Sequence, residues 1–290
     1  MTVDRSRLAR PLNEDRYNLF CKGVQDDPGI DVYINEQRDF AFLDPMPVMD
    51  YVSYERRSEK LGLQAYARSS DGLQARLEKV ATLIPREGRV LEIGAANAAF
   101  LELAHKAAPG SRFATIEPDQ NTKPERDRLT WLTQFDGIEE ARQRGERFDL
   151  IMLFHVFEHV LEPEAFLAQL HGLMAEGGAL LIEVPCLHDP LLTLFGSAVY
   201  RAFYFQRQHP FVYSASSLER VLSQAGFTVR TALPHQRYGM ENHLQWLSMG
   251  KPGGNAKFRE LFGSCDATYR AALEAEGTTD TIIVEAVEAA

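Results

Sequence analysis

Short apolar runs recur along the middle of the chain, separated by small or polar turns, and they alternate with segments of a different period. Arg89–Ile93, Arg112–Ile116, Leu129–Phe135, Phe148–Phe154, Ala179–Val184, Phe227–Ala232 and Thr281–Val287 have strand length and are rich in branched and aromatic residues. A strand covered on both faces reads as an unbroken apolar run, as Phe148–Phe154 does. Between these runs the apolar positions recur at helical spacing. Leu73, Leu77, Val80 and Leu83 form one such stripe, with Asp71 as its N-cap and Pro85 as its stop. Ala98–Ala108, Gly137–Arg144, Pro163–Met174 and Ser216–Ala225 form the others. Pro163 suits a first helical position, where its missing N–H would find no partner anyway. The alternation predicts an α/β fold, a doubly wound sheet of seven strands with helices on both faces.

The flanks read differently. Pro11, Pro28, Pro45 and Pro47 punctuate the start, and two short alternating runs, Asp31–Ile34 and Asp39–Leu43, flank Asn35–Arg38. That pattern predicts a hairpin or an extended arm. The chain is therefore expected to divide into an N-terminal arm or small accessory region, residues 1–70, and a main domain, residues 71–290. Within the latter a lid insertion is expected at about 186–215 and a C-terminal excursion at about 236–280.

Composition narrows the function classes. The chain has 290 residues, 45% hydrophobic and 25% charged, which is the balance of a globular protein. With 31 Lys+Arg against 41 Asp+Glu, the net charge of −10 leaves no cationic track for phosphates, so no nucleic-acid partner is expected. Cys21, Cys186 and Cys265 are too scattered for a CxxC pair or a disulfide framework. No run approaches the roughly 18 apolar residues of a membrane span. The richest, Leu191–Phe205, is interrupted by Gly196, Ser197 and Arg201. Met1–Arg10 carries Asp4, Arg5, Arg7 and Arg10 with no apolar stretch behind them, so the expected location is cytoplasmic, without a membrane partner.

In doubly wound sheets ligands bind beyond the carboxyl ends of the strands. The first strand there runs into Gly94-Ala95-Ala96-Asn97, a turn of small residues that lets backbone N–H groups approach a ligand. Glu117-Pro118 follows the second strand, where a carboxylate can accept both hydroxyls of a ribose. Singly, these are a tight turn and a solvated carboxylate; together they favour a nucleoside site. After the fourth strand, His155-Val156-Phe157-Glu158-His159 gathers two imidazoles and a carboxylate at the crevice, and histidine is the side chain best suited to moving protons near neutrality.

These residues resemble the class I S-adenosylmethionine-dependent methyltransferases. Leu91-Glu92-Ile93-Gly94 is similar to the start of that family's E/D-x-G-x-G-x-G motif. Phe148-Asp149-Leu150-Ile151 through His155–Val160 resembles its "FDxIxxxHVLEHV" segment, and Gly177-Gly178-Ala179 through Pro185 its "GGxLxIxVP" segment. The resemblance implies a Rossmann-like, mostly parallel sheet with Thr281–Val287 as a reversed strand. It also implies S-adenosyl-L-methionine as cofactor, held by Glu92, Gly94, Ala95, Ala96, Asn97, Glu117, Pro118, Asp136, Phe154 and His155. Ala96 and Ala98 depart from it, since the family has glycine at both places.

Phe205–Ser214 with Ser217-Leu218 resembles an "EHxxxFSxxSL" segment of methyltransferases acting on nucleotide-linked sugars and related glycans, in which the histidine is close to the acceptor. His209 matches that histidine, while Gln208 replaces its acidic neighbour. The implied reaction is O-methylation of a small polar acceptor, a sugar or glycan hydroxyl, with a nucleotide-linked sugar among the options. His155, Glu158, His159 and His209 are the candidate catalytic groups, no metal is assigned, and a homodimer is compatible with the reading. The aromatic series Tyr200, Phe203, Tyr204, Phe205, Phe211 and Tyr213 reads as a lid or as core. The stretch Gln236–Leu247 suits sugar recognition, internal packing or an oligomer contact equally.

Three other readings compete. Ala96 and Ala98 would fit a fold that binds or regulates without catalysis. The trio His155, Glu158 and His159 resembles a Glu-x-x-Glu-His segment that binds a divalent ion in some quinone O-methyltransferases, with His155 in place of the first glutamate. His155-x-x-Glu158-His159 also matches the inverted zinc-peptidase pattern. That pattern needs both histidines on one continuous helix, which the strand-like run before His155 and Pro163 after it disfavour.

Overall fold

The computed structural model describes residues 11–48 and 70–289. Strands β1 (Tyr17–Cys21), β2 (Asp31–Asn35) and β3 (Phe40–Asp44) form an antiparallel meander in which Asp31 faces Asp44 and Ile34 faces Ala41. Asn35 closes the β2–β3 turn, its Oδ1 accepting from the N–H groups of Asp39 and Phe40 at 3.0 Å each. The expected hairpin is present. A fourth strand, β9 (Phe211–Tyr213), comes from the insertion and pairs with β3, so that Phe40 faces Tyr213. Phe40, Phe42 and Phe211 are buried along this seam, where Phe40 stacks on Phe211. Residues 1–10 and 49–69 of the expected arm lie outside the described residues.

The second sheet has seven strands: β4 (Arg89–Ile93), β5 (Arg112–Ile116), β6 (Thr133–Phe135), β7 (Phe148–Phe154), β8 (Met174–Pro185), β10 (Phe227–His235) and β11 (Thr281–Glu288). Their spatial order is β10-β11-β8-β7-β4-β5-β6. The pairs β8–β7, β7–β4, β4–β5 and β5–β6 are parallel, and β11 runs antiparallel to both neighbours. The doubly wound, mostly parallel, Rossmann-like sheet and its reversed strand are thus as expected. Along β4 the side chains alternate between two cores. Leu91 and Ile93 pack with Leu167, Leu170, Leu218 and Val221 on one face; Val90 packs with Val80, Phe100, Leu101 and Ala104 on the other.

The helices are α1 (Ser70–Val80), α2 (Ala99–Ala107), α3 (Lys123–Arg126), α4 (Ile138–Gln143), α5 (Pro163–His171), α6 (Ala198–Tyr204), α7 (Ala215–Gln224), α8 (Met240–Met249) and α9 (Ala256–Ala275). Some boundaries differ from the sequence reading. Asp71 is inside the first turn of α1, not its N-cap, and its charge there favours the positive helix end. The third strand begins at Thr133, because Leu129–Leu132 closes a turn through the Leu132 N–H and the Leu129 carbonyl. Strand β8 begins at Met174, opposite Phe148, which ends α5 at His171. Ser214 caps α7 reciprocally with Ser217. The C-terminal excursion is two helices, α8 and α9. Among the described residues no helix is long and apolar enough to cross a membrane.

Candidate active site

The loop from β4 into α2 is built by backbone conformation. Gly94 has φ +82, and a Cβ there would lie 2.4 Å from Val156 Cγ2, so only glycine lets this loop lie against the one after β7. Ala96 and Ala98, where the family pattern has glycine, hold φ 48 and 64. The left-handed path is therefore kept with alanine, at about 1–2 kcal/mol per residue. Glu117 braces the turn: its Oε2 accepts from the Ala96 N–H at 2.6 Å and its Oε1 from the Asp119 N–H at 2.8 Å. Arg126, 2% exposed, donates to the Ala96 carbonyl at 2.6 Å, the Asp119 carbonyl at 3.1 Å and the Gln134 side chain at 3.1 Å, tying the ends of β4, β5 and β6 together.

This loop forms one wall of a cavity of about 1230 Å³. Of the residues expected to bind or react, Glu92, Gly94, Ala95, Ala96, Asn97, Phe154, His155, Glu158, His159 and His209 all line it. Glu117, Pro118 and Asp136 do not. Pro118 and Asp136 are exposed, and the Asp136 N–H donates to Glu140.

The floor is a chain of charged groups. His155, in a left-handed backbone conformation (φ 55), has Nδ1 3.2 Å from Glu158 Oε1. Its Nε2 lies 2.8 Å from Glu183 Oε1 and 2.7 Å from the Arg237 guanidinium. Arg76 donates to both oxygens of Glu183, and Arg237 to Asp280 at 3.3 Å. Burial drives the Glu92 carboxyl up, Arg76 offsets this only in part and Glu117 and Glu183 add to it, so that it titrates at about 8. Burial would raise Glu158 too, but the hydrogen bond from His155 and the charges of His159, His155 and His209 hold it at about 2. Glu183 is fully buried, yet Arg76 and His155 keep it well below the usual carboxylate range.

Arg76, Glu183 and Asp280 were not expected in the site, and Arg237 only as part of the stretch Gln236–Leu247. Glu92 and Glu183 share one signal: a lone carboxylate within an apolar run of strand length. At the other end of the cavity His159 Nδ1 meets the Gln208 carbonyl at 2.6 Å, and the His159 and His209 rings are 5.0 Å apart. Tyr200, Phe203, Tyr204 and Trp246 also line the cavity. Phe205, Phe211 and Tyr213 are buried, so the aromatic series divides between cavity wall and core.

The peptidase geometry is absent. His155 directly follows strand β7, and only the single 3-10 turn Phe157–His159 comes after it, so the two histidines do not share one face of a continuous helix.

Comparison with known proteins agrees with the sheet order. A family model described as a methyltransferase domain matches residues 64–232. A search of the curated proteins finds no match. Among solved structures, an S-adenosylmethionine-dependent methyltransferase from Archaeoglobus fulgidus is similar at 20% identity and a TM-score of 0.51, over 82% of this chain and 99% of that one. The 1,6-didemethyltoxoflavin-N1-methyltransferase of Burkholderia thailandensis, with its substrate and S-adenosylhomocysteine bound, is similar at 15% identity and a TM-score of 0.50, over 89% and 98%. A methyltransferase, described as putative, in complex with the Trm112 activator from Haloferax volcanii reaches a TM-score of 0.54 at 11% identity, over 84% and 100%.

Proposed function

This chain belongs to the methyltransferase-domain family, and on that premise we propose that it carries the methyl group of S-adenosylmethionine to a hydroxyl of a small polar acceptor, a sugar or glycan. The donor supplies an electrophilic methyl on its sulfonium. The β4–α2 loop, Gly94 to Asn97, is the part of the chain fitted to hold it, because it lines the cavity and the Glu92 oxygen Oε2 behind it is buried with no hydrogen-bond partner among the described residues. Glu117 is the ribose candidate, since it already fixes that loop through Ala96.

The observation that carries the acceptor reading is the cavity itself. Its volume of about 1230 Å³ exceeds the roughly 300–1,000 Å³ of a site for one small ligand, leaving room for an acceptor beside the donor. The remaining wall combines the rings of Tyr200, Phe203 and Trp246 with Arg237, Asn242 and Glu241. Flat rings stack on sugar faces, and amide and charged groups bond hydroxyls.

His155 is held by Glu158, Glu183 and Arg237, an arrangement that fixes the wall rather than frees an imidazole. His209, half-buried on the cavity lining, is the proton acceptor in this reading, with His159 beside it. As the acceptor oxygen bonds the methyl carbon, the carbon–sulfur bond breaks, S-adenosylhomocysteine leaves, and the hydroxyl proton passes to His209.

The test is transfer of labelled methyl from S-adenosylmethionine to a panel of monosaccharides, nucleotide-linked sugars, amines and carbon acids. Label on a hydroxyl is the expected result. His209→Ala is expected to lower kcat by about 100- to 10,000-fold, the usual worth of general-base catalysis, with donor affinity kept. Label confined to nitrogen or carbon would overturn the acceptor class.

A further inference from the structure

We propose that Glu158, His159 and His209 form a site for one divalent cation of the zinc class at the acceptor end of the cavity. A carboxylate oxygen of Glu158 and one ring nitrogen from each histidine lie within 4.8 Å of one another. Two imidazoles and one carboxylate are the donor set of open catalytic zinc sites, which keep a fourth position for water or substrate. All three residues line the cavity, so that fourth position faces the acceptor.

Two features of the surroundings point to a missing ligand. Glu158 is 2% exposed; its Oε1 meets His155, but its Oε2 is buried with no hydrogen-bond partner among the described residues. An unsatisfied buried oxygen costs about 1–3 kcal/mol, more when charged, and a cation would remove that cost. The second feature is the orientation of His159. Its Nδ1 is 2.6 Å from the Gln208 carbonyl, so that nitrogen carries the hydrogen and Nε2 the lone pair. A carbonyl accepting from one ring nitrogen is how metal-ligating histidines are oriented and their tautomer set. The Tyr213 hydroxyl is likewise buried with no hydrogen-bond partner among the described residues.

The donors must close up to reach the about 2.0–2.2 Å bonds of zinc, and both imidazoles are half-buried rather than packed on every side. His209 comes from the insertion, so the sequence offered Glu158 and His159 together with His155 as an ion-binding trio, but not with His209. The site's existence does not depend on the acceptor, but its role rests on the O-methylation reading. An ion there would bind the acceptor hydroxyl and lower its pKa, taking over the role given to the His209 imidazole.

The experiment is titration of the metal-stripped, full-length protein with Zn²⁺ alone by calorimetry, and with Co²⁺ alone by visible absorption. One equivalent is expected, with the intense visible bands of four-coordinate Co²⁺. His209→Ala and Glu158→Gln should each weaken Zn²⁺ binding at least tenfold. S-adenosylmethionine affinity, measured on the same variants, should stay within about twofold, which shows that the fold is kept. Substoichiometric binding, or an affinity unchanged by both variants, would overturn the site. A stoichiometric site in a protein that labels only nitrogen or carbon acceptors would uphold the metal and defeat the hydroxyl reading instead.

Discussion

Arg76 and Glu183 meet side-on at the floor of the cavity, Nε to Oε2 and Nη2 to Oε1, each at 2.7 Å. The pair joins α1 to the end of β8, and the guanidinium also lies 4.7 Å from the Phe154 ring centroid and 5.7 Å from that of Phe100. Glu183 is 0% exposed. Removing one member of such a pair strands the other charge, at a cost of about 3–5 kcal/mol, whereas removing both is far milder. Arg76→Met leaves Glu183 with His155 as its remaining partner, so it is expected to lower unfolding free energy by up to that amount in a denaturant titration. Arg76→Met/Glu183→Met should lose much less than the sum of the two single changes. Additive losses would mean that the two groups act independently.

Glu92 lines the cavity, Glu183 is fully buried, and the two respond to pH with opposite signs. Glu183 is held well below the ordinary value of 4.5, so its contribution is present above that pH and is lost as pH falls. Glu92 titrates at about 8 against 4.5 when unfolded. Between those values the folded state keeps a proton that the unfolded state releases, so stability falls as pH rises through this window. Glu92→Gln abolishes that loss. The melting temperature of the variant relative to the parent, both without cofactor, should rise steadily from pH 5 to pH 8. A constant difference would show that Glu92 ionises normally.

Ala96 and Ala98 both sit in left-handed backbone, yet glycine should not help them equally. Ala96 is half-buried, so Ala96→Gly relieves strain of about 1–2 kcal/mol against an entropy cost of about 0.5–1 kcal/mol. Ala98 is 0% exposed and packs with Phe100 and Leu101. There the lost methyl removes about 0.8 kcal/mol of burial as well. Ala96→Gly is expected to raise the melting temperature, and Ala98→Gly to leave it nearly unchanged. Equal gains at both sites would show that packing at Ala98 contributes little.

The parallel sheet was legible because each strand is a local apolar run, and the order of strands and helices follows from their alternation. The turn at Gly94 and the cluster His155–Glu158–His159 were legible because they lie at strand ends. Arg76 was not, since an arginine on a helix ordinarily reads as solvent-facing, and its partner is 107 residues away. The pairing of β9 with β3 was equally hidden. Phe211–Tyr213 is three residues long, and nothing local says that its edge completes a sheet begun at Tyr17. His209 was found through its segment, but its approach to His159 depends on that same long-range pairing.

Gly94 offers the most direct test of how the two strand-end loops are held together. A Cβ at this position would meet Val156 Cγ2 at 2.4 Å, and the backbone φ of +82 adds strain for any other residue. Val156 directly follows His155, whose ring bridges Glu158, Glu183 and Arg237. Pushing Val156 aside should therefore disturb both the β4–α2 loop and the charged groups around His155. Gly94→Ala is expected to weaken S-adenosylmethionine binding at least tenfold by calorimetry and to lower the melting temperature. Val156→Ala removes the offending methyl, so the double variant should recover part of the affinity. The φ cost of about 1–2 kcal/mol would remain. If Gly94→Ala alone bound the donor like the parent, the close approach of these two loops would not be what shapes the site.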